Sequence, residues 1–126
     1  MGEVDVICVG NVLIDIFLRI EDENKHLSLN AQKEILIKLG DKIPVDKHEF
    51  SIGGNAANTS IGLARLGHVV SLAAETGYDE FLGKITKTLE IEGVNQSLLR
   101  RAERRDSSFS VILNYKGDRT IFKVQT

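Results

Sequence analysis

The stretch that decides the fold reads Gly53-Gly54-Asn55-Ala56-Ala57-Asn58, and it continues with small and aliphatic residues as far as Gly67. Apolar residues recur through it at helical spacing, and Gly67 supplies the glycine that is typical just beyond a helix C-terminus. The pattern predicts a helix from about Asn55 to Leu66. Its many small residues indicate that neighbouring backbone packs closely against it.

Several β-strands are predicted on the N-terminal side of this helix. Val4 to Val9 is a short β-branched run, which predicts a parallel strand buried on both faces. Val12 to Ile20 is a second β-rich segment, interrupted by the carboxylate of Asp15. The polar stretch from Glu21 to Asn30 predicts a loop.

Two further short strands are predicted before the helix. Glu34 to Lys38 and Ile43 to Phe50 flank the turn-forming pair Gly40-Asp41. Such a pattern favours a small antiparallel ribbon.

The segments beyond Gly67 alternate between strand and helix. Val69 to Ala74 predicts a buried strand, and Asp79 is placed to cap a second helix that ends near Gly93. Phe109 to Tyr115 and Thr120 to Val124 flank a glycine-containing turn, which predicts a hairpin. Alternating strands and helices indicate the α/β class.

Composition bounds the function. The chain has 126 residues, 42% of them hydrophobic, which fits one domain or part of one. Its 16 basic and 18 acidic residues give a net charge of -2, so no global field favours nucleic acid or an anionic membrane. The single cysteine, Cys8, lies in an apolar run and is expected to be a buried thiol, which fits the cytoplasm. No run approaches the ~20 apolar residues of a membrane helix.

The residue types around Gly53 favour a neutral polyol over a nucleotide. Neither a P-loop ending nor a Gly-x-Gly-x-x-Gly fingerprint is present. Bare backbone at Gly53-Gly54 and the amides of Asn55 and Asn58 suit sugar hydroxyls, and Asp15 could accept hydrogen bonds from two of them. Three histidines lie far apart, without a second ligand at metal spacing, so no metal site is expected: His26, His48 and His68.

At this point the residues resemble a family. The segments that match the first signature of the ribokinase-like (PfkB-type) carbohydrate kinases are Gly53 to Asn58, Gly62 to Gly67, Glu75 to Asp79 and Gly83, preceded by Val9-Gly10-Asn11 and Asp15 and followed by 108–120. The resemblance implies a three-layer αβα sheet domain with a small antiparallel β lid. Lid strands are expected at about 12–20, 34–50 and 108–124, within a single, incomplete domain over 1–126.

The resemblance also implies an activity, the ATP-dependent phosphorylation of a sugar or nucleoside hydroxyl. The substrate-binding residues that it implies are Asp15, Gly53, Gly54 and Asn58, supported by Asn11 and Asn55. ATP and Mg²⁺ are implied for the complete enzyme. The family's Asp-Thr-x-Gly-Ala-Gly-Asp segment has no match here, so this chain is expected to hold the sugar-binding half without a catalytic residue and without binding ATP or Mg²⁺ itself.

Other readings remain open from the sequence. Asp15 could make an ordinary turn contact, and Gly53-Gly54 could be a plain loop-to-helix junction. The chain could be a non-catalytic sugar-binding module, or one that forms a homodimer through the lid; a nucleotide-binding domain is the weakest alternative. The arginine cluster between Arg100 and Arg105 is diluted by acidic residues and is interpreted as a solvated connecting segment, not a nucleic-acid patch.

Overall fold

The computed structural model describes residues 3–124, which contain two helices and nine strands. The strands are β1 Val6–Val9, β2 Leu13–Arg19, β3 Leu27–Leu29, β4 Ile35–Ile37, β5 Lys47–Gly53, β6 Val70–Gly77, β7 Leu99–Ala102, β8 Phe109–Tyr115 and β9 Asp118–Val124; the helices are α1 Asn55–Arg65 and α2 Glu80–Ile91. They form a parallel sheet β1-β6-β7, a second sheet β5-β2-β8-β9 and a small pair β3-β4. The predicted α/β class is confirmed.

Both predicted helices are present with the expected ends. The N–H of Leu66 donates to the carbonyl of Gly62 at the end of α1, and Gly67 follows with φ 95°, which favours glycine. Asp79 caps α2 by accepting a hydrogen bond from the N–H of Phe81 at 3.2 Å. Within residues 3–124, neither helix has the length and apolar character needed to cross a bilayer.

The main core lies on one face of the parallel sheet. Cys8, Val70 and Leu72 point to this face, where Ile61 of α1 and Ile85 of α2 pack against them. Because side chains alternate along a strand, the neighbouring residues face the opposite side.

The opposite face of β1 is open in the described part of the chain. Ile7 is 55% exposed and Val9 78% exposed. The prediction that this strand is buried on both faces is therefore wrong for residues 3–124, because both helices pack on the face that carries Cys8.

The second sheet has one apolar and one more polar face. β2 pairs antiparallel with β5 and parallel with β8, and β9 pairs antiparallel with β8. Ile14, 1% exposed, belongs to the main core, whereas its neighbour Asp15 points to the other face. Asp15 lies opposite Ser51 and beside Ser110 in the strand register.

The predicted hairpin at the end of the chain is confirmed. β8 and β9 pair from Phe109 with Val124 to Tyr115 with Asp118, so two residues form the loop. Lys116 and Gly117 both have positive φ, 50° and 77°. Two central residues with positive φ are typical of a type I′ turn, whose twist matches that of the flanking strands.

The predicted ribbon between 34–38 and 43–50 is wrong. β4 pairs with β3, in a segment that the sequence indicated was a loop, and β5 pairs with β2. The reason is a second, smaller core: Leu27 is buried with Ile20, Leu113 and Tyr115. The β3-β4 hairpin is held in place because Leu27 packs on the end of the four-stranded sheet. Local sequence does not encode this long-range contact.

The arginine-rich segment contains a strand where a solvated connecting segment was predicted. Arg100 and Arg101 belong to β7, which pairs with Glu75 and Thr76 of β6. The guanidinium of Arg105 donates to Glu75 at 2.8 Å, and the Nε of Arg100 lies 3.5 Å from the same carboxylate. The third parallel strand therefore lies where a connecting segment was expected.

Candidate functional site

Asp15 and Gly53 lie side by side on adjacent strands of the four-stranded sheet. Asp15 is in the middle of β2, and Gly53 ends β5 two residues beyond the partner of Asp15. A side chain at position 53 would overlap the Asp15 carboxylate, so the carboxylate occupies the space that the missing Cβ leaves. The structure thus puts the acid on the same side of the sheet as the glycine pair.

The Asp15 carboxylate retains free hydrogen-bonding capacity. It makes no hydrogen bond and no close ion pair with any residue among 3–124. Partial burial raises its pKa, and the positive charge of Arg119 counteracts this in part. A half-buried carboxylate without hydrogen-bond donors is energetically unfavourable in the free protein, and ligand hydroxyls could satisfy it.

Gly54 shapes the start of α1 and brings Asn11 close to it. Gly54 is the N-cap residue with φ 96°, and a Cβ on it would overlap the backbone of Asn11. The Asn11 carbonyl accepts a hydrogen bond from the N–H of Ala57 at 3.2 Å. The loop after β1 and the first turn of α1 are therefore in backbone contact.

The other two predicted amides, Asn55 and Asn58, do not line the cavity beside Asn11. Asn55 is exposed, and its carbonyl accepts from the Thr59 hydroxyl at 2.8 Å. Asn58 is exposed and borders a depression between β5 and the two helices, together with Arg65 and Glu92. The structure thus brings Asp15 to Gly53 and Asn11 to Gly54, but it gives Asn58 a separate depression.

A cavity of about 170 Å³ opens at the carboxyl ends of β1 and β6. Ligands of α/β proteins commonly bind at this edge. Asn11 and Leu13 line it from one side, and Arg105, Ser108 and Lys123 line it from the other. The cavity is smaller than the ~300–1,000 Å³ of most ligand pockets. The sequence did not point to Arg105 or Lys123, because only the strand pairing brings them here.

Asp79 fixes the loop that borders this cavity. Its carboxylate accepts hydrogen bonds from the N–H and the hydroxyl of Ser107 at 2.7 and 2.8 Å, in addition to capping α2. Burial raises the pKa of Asp79, but the hydrogen bonds from Ser107, Phe81 and Leu82 outweigh burial and lower it below the ordinary value. The ionised side chain is therefore a structural anchor.

Replacing Asp79 by alanine is expected to lower the free energy of unfolding by about 2–4 kcal/mol, because a helix cap is lost and Ser107 loses its acceptor. For a carboxyl with a lowered pKa, the stabilisation is present above the unfolded pKa of about 3.9 and is lost as the pH falls through the folded value. Urea denaturation at pH 7 and near pH 3 checks this, and the difference from wild type should shrink at low pH. Asp22→Ala, on an exposed loop, is the matched control.

Comparisons with known proteins show the family of this chain. Residues 5–125 match the sequence pattern of the pfkB family carbohydrate kinases. Fructosamine kinase FrlD of Bacillus subtilis is 34% identical over 87 residues, covering 67% of this chain and 31% of that protein. An Escherichia coli fructokinase is 38% identical over 69 residues, covering 54% and 22% respectively.

Solved structures show the same fold. Arabidopsis thaliana ribokinase complexed with ribose and ATP superposes with a TM-score of 0.75 at 20% identity, covering 94% of this chain and 35% of that one. A Methanocaldococcus jannaschii nucleoside kinase of the ribokinase family gives 0.73 at 22% identity, covering 94% and 36%. The chain belongs to the pfkB family of carbohydrate kinases. It spans about a third or less of the length of these relatives.

Proposed function

We propose that this chain supplies the sugar-binding part of an ATP-dependent kinase that phosphorylates a hydroxyl of a sugar or nucleoside. One observation carries the proposal: the half-buried Asp15 carboxylate lies against the bare backbone of Gly53 and has no hydrogen-bond donor among residues 3–124. An ionised carboxylate in this setting binds ligands that present two adjacent hydroxyls and discriminates against those that lack them.

The role proposed for each residue follows from its place. Asp15 accepts hydrogen bonds from two sugar hydroxyls, while Gly53 and Gly54 let the ring approach the backbone. Asn11, which lines the adjacent cavity, and Asn55, the first residue of α1, are proposed to support the sugar. Asn58 is proposed as a further contact. Because Asn58 borders a separate depression, a sugar bound at Asp15 would have to extend to it.

Phosphoryl transfer itself is assigned to the part of the relatives that this chain does not match. ATP would supply the phosphoryl group, the acceptor oxygen would form the new P–O bond, and ADP would leave as the hydroxyl proton is released. The N-termini of the two helices are not available for a phosphate, because Asp79 caps α2 and the Asn11 carbonyl binds the first turn of α1. Positioning of the acceptor is therefore the contribution proposed for this chain.

The test is calorimetry and turnover with pentoses, hexoses and nucleosides, measured on a chain extended to the length of the relatives. Binding of at least one sugar that is lost in Asp15→Ala, with Asn58→Ala weakened, supports the proposal. If both variants bound and turned over every sugar as the wild type does, the assignment of these residues would be wrong.

Replacing Gly53 by alanine is expected to reduce kcat/KM for the sugar by about 10–100-fold, because the new methyl group displaces the Asp15 carboxylate and weakens its hydrogen bonds. Since a carboxylate at the end of a side chain can rotate away, the stability cost should stay at about 1–2 kcal/mol. Steady-state kinetics and thermal melting separate the two effects. Gly83→Ala is the control, because a Cβ there meets nothing within 4 Å.

A lid-mediated dimer is a second candidate role. β9 is an edge strand that exposes Ile121, Phe122 and Val124. Unpaired edge strands with apolar side chains favour pairing with another chain. Sedimentation that finds only monomers at all concentrations would count against this role.

A further inference from the structure

The segment from Glu75 to Asp79 positions the loop at 105–107, a contact that plays no part in sugar binding by Asp15. A Cβ on Gly77 would overlap the backbone at 105–107, so this loop packs directly on the end of β6. The Ser107 hydroxyl accepts from the N–H of Gly77 at 3.1 Å and donates to Asp79 at 2.8 Å. The loop that carries Arg105 is therefore held in one place beside the cavity.

Glu75 holds the Arg105 side chain at the cavity wall. One guanidinium nitrogen donates to the Glu75 carboxylate at 2.8 Å. A guanidinium has five N–H donors, and the side chain of Arg105 makes no other hydrogen bond with residues 3–124. Arg105 thus keeps donors available for a ligand, and the ion pair with Glu75 orients its exposed side chain along the cavity wall.

A second cation approaches the same cavity from the lid hairpin. Asp15, Ser110 and Lys123 are neighbours across β2, β8 and β9 in the strand register, on one face of the sheet. Strands lie about 4.8 Å apart, so the Cα atoms of Asp15 and Lys123 are separated by about 10 Å. Neither the Ser110 hydroxyl nor the Lys123 ammonium group has a recorded hydrogen-bond or ion-pair partner within residues 3–124.

The way the charges at this wall are paired favours an anion. The charged residues that line the cavity are Glu75, Arg105, Asp106 and Lys123. Glu75 is already shared by Arg105 and Arg100, which lies just outside the cavity. The four charges that line the cavity therefore balance, but the Lys123 ammonium group has no ion-pair partner among residues 3–124.

We propose that the acceptor is a sugar that carries an anionic substituent, a carboxylate or a phosphate, bound by Lys123 and Arg105 while Asp15 holds hydroxyls at the other end. The inference rests on the proposed function and narrows its substrate class. The row from Asp15 through Ser110 to Lys123 offers an acceptor, a hydroxyl and a cation in sequence, and the span of about 10 Å suits a monosaccharide with a charged terminal group.

The experiment measures kcat and KM on the chain extended to the length of its relatives, with three sets of acceptors: neutral pentoses and hexoses, their terminal phosphates, and the corresponding sugar acids. Lys123→Gln and Arg105→Gln are compared with Lys38→Gln and Arg104→Gln, two exposed positions that do not line the cavity. We expect a charged acceptor to have the highest kcat/KM. The cavity variants should raise its KM by about 10–100-fold and leave neutral acceptors within about twofold.

The outcomes separate the two levels of the proposal. A preference for phosphates over acids, or the reverse, identifies the anion. A neutral sugar as the best acceptor, or equal effects of Lys123→Gln on neutral and charged acceptors, overturns the inference while the kinase function stands. Absence of turnover with every acceptor overturns both.

Discussion

Replacing Asp15 by asparagine is expected to reduce kcat/KM for the acceptor by about 10²–10⁴-fold, since two charge-assisted hydrogen bonds of roughly 1.5–3 kcal/mol each are lost. Asparagine has nearly the same shape but presents one acceptor oxygen and a donor group. Steady-state kinetics with the preferred acceptor measures the effect. Because Asp15 contacts only the acceptor in this account, KM for ATP should stay within about threefold, on the usual scale of kinetic partitioning.

The same substitution is expected to stabilise the free protein. Burial raises the pKa of Asp15, so the folded state holds its proton more tightly than the unfolded state. For such an acid, stability is greatest below the unfolded pKa of about 3.9 and declines as the pH rises through the folded value. Asp15→Asn removes this loss, so its melting temperature at pH 7 should exceed that of the wild type. A lower melting temperature together with unchanged kinetics would contradict the role given to this carboxylate.

Replacing Gly54 by alanine is expected to give the largest loss of stability, about 2–6 kcal/mol. The backbone of Gly54 has φ 96°, which strains any residue with a Cβ, and the new methyl group would overlap the Asn11 carbonyl. The loop after β1 would then have to move away from α1. Urea denaturation measures the loss, with circular dichroism to follow the helices.

Gly62→Ala is the matched control for this prediction. Gly62 lies inside α1, and a Cβ there meets nothing within 4 Å. Alanine in a helix interior stabilises by roughly 0.5–1 kcal/mol relative to glycine. The two variants, eight residues apart, should therefore change stability in opposite directions. Equal effects would show that the close approach of Asn11 to Gly54 does not constrain the fold.

Local signals predicted much of the fold. The small residues after Gly54 and the stop at Gly67 gave α1, and Asp79 gave the start of α2, because caps and stops act within one helical turn. The hairpin around Gly117 was predictable because its loop requires positive φ. Asp15 and Gly53 lie side by side, as the sequence hypothesis required, but Asn58 borders a separate depression, and the shared sugar pocket remains a prediction.

Non-local pairing explains what was missed. The pairing of β3 with β4 depends on Leu27 reaching Tyr115, 88 residues away, and no local pattern encodes that contact. β7 was not predicted because Arg100 and Arg101 are typical of a solvated segment. Only their pairing with β6 makes the segment a strand. Lys123 became a candidate only when the register placed it beside Ser110.

A crystal structure of the extended chain with a bound acceptor tests the central assignment most directly. The account predicts two adjacent sugar hydroxyls at about 2.6–3.0 Å from the Asp15 carboxylate oxygens, with the ring against the backbone of Gly53 and Gly54. A sugar bound in full without touching residue 15, or bound at a different edge of the sheet, would contradict it.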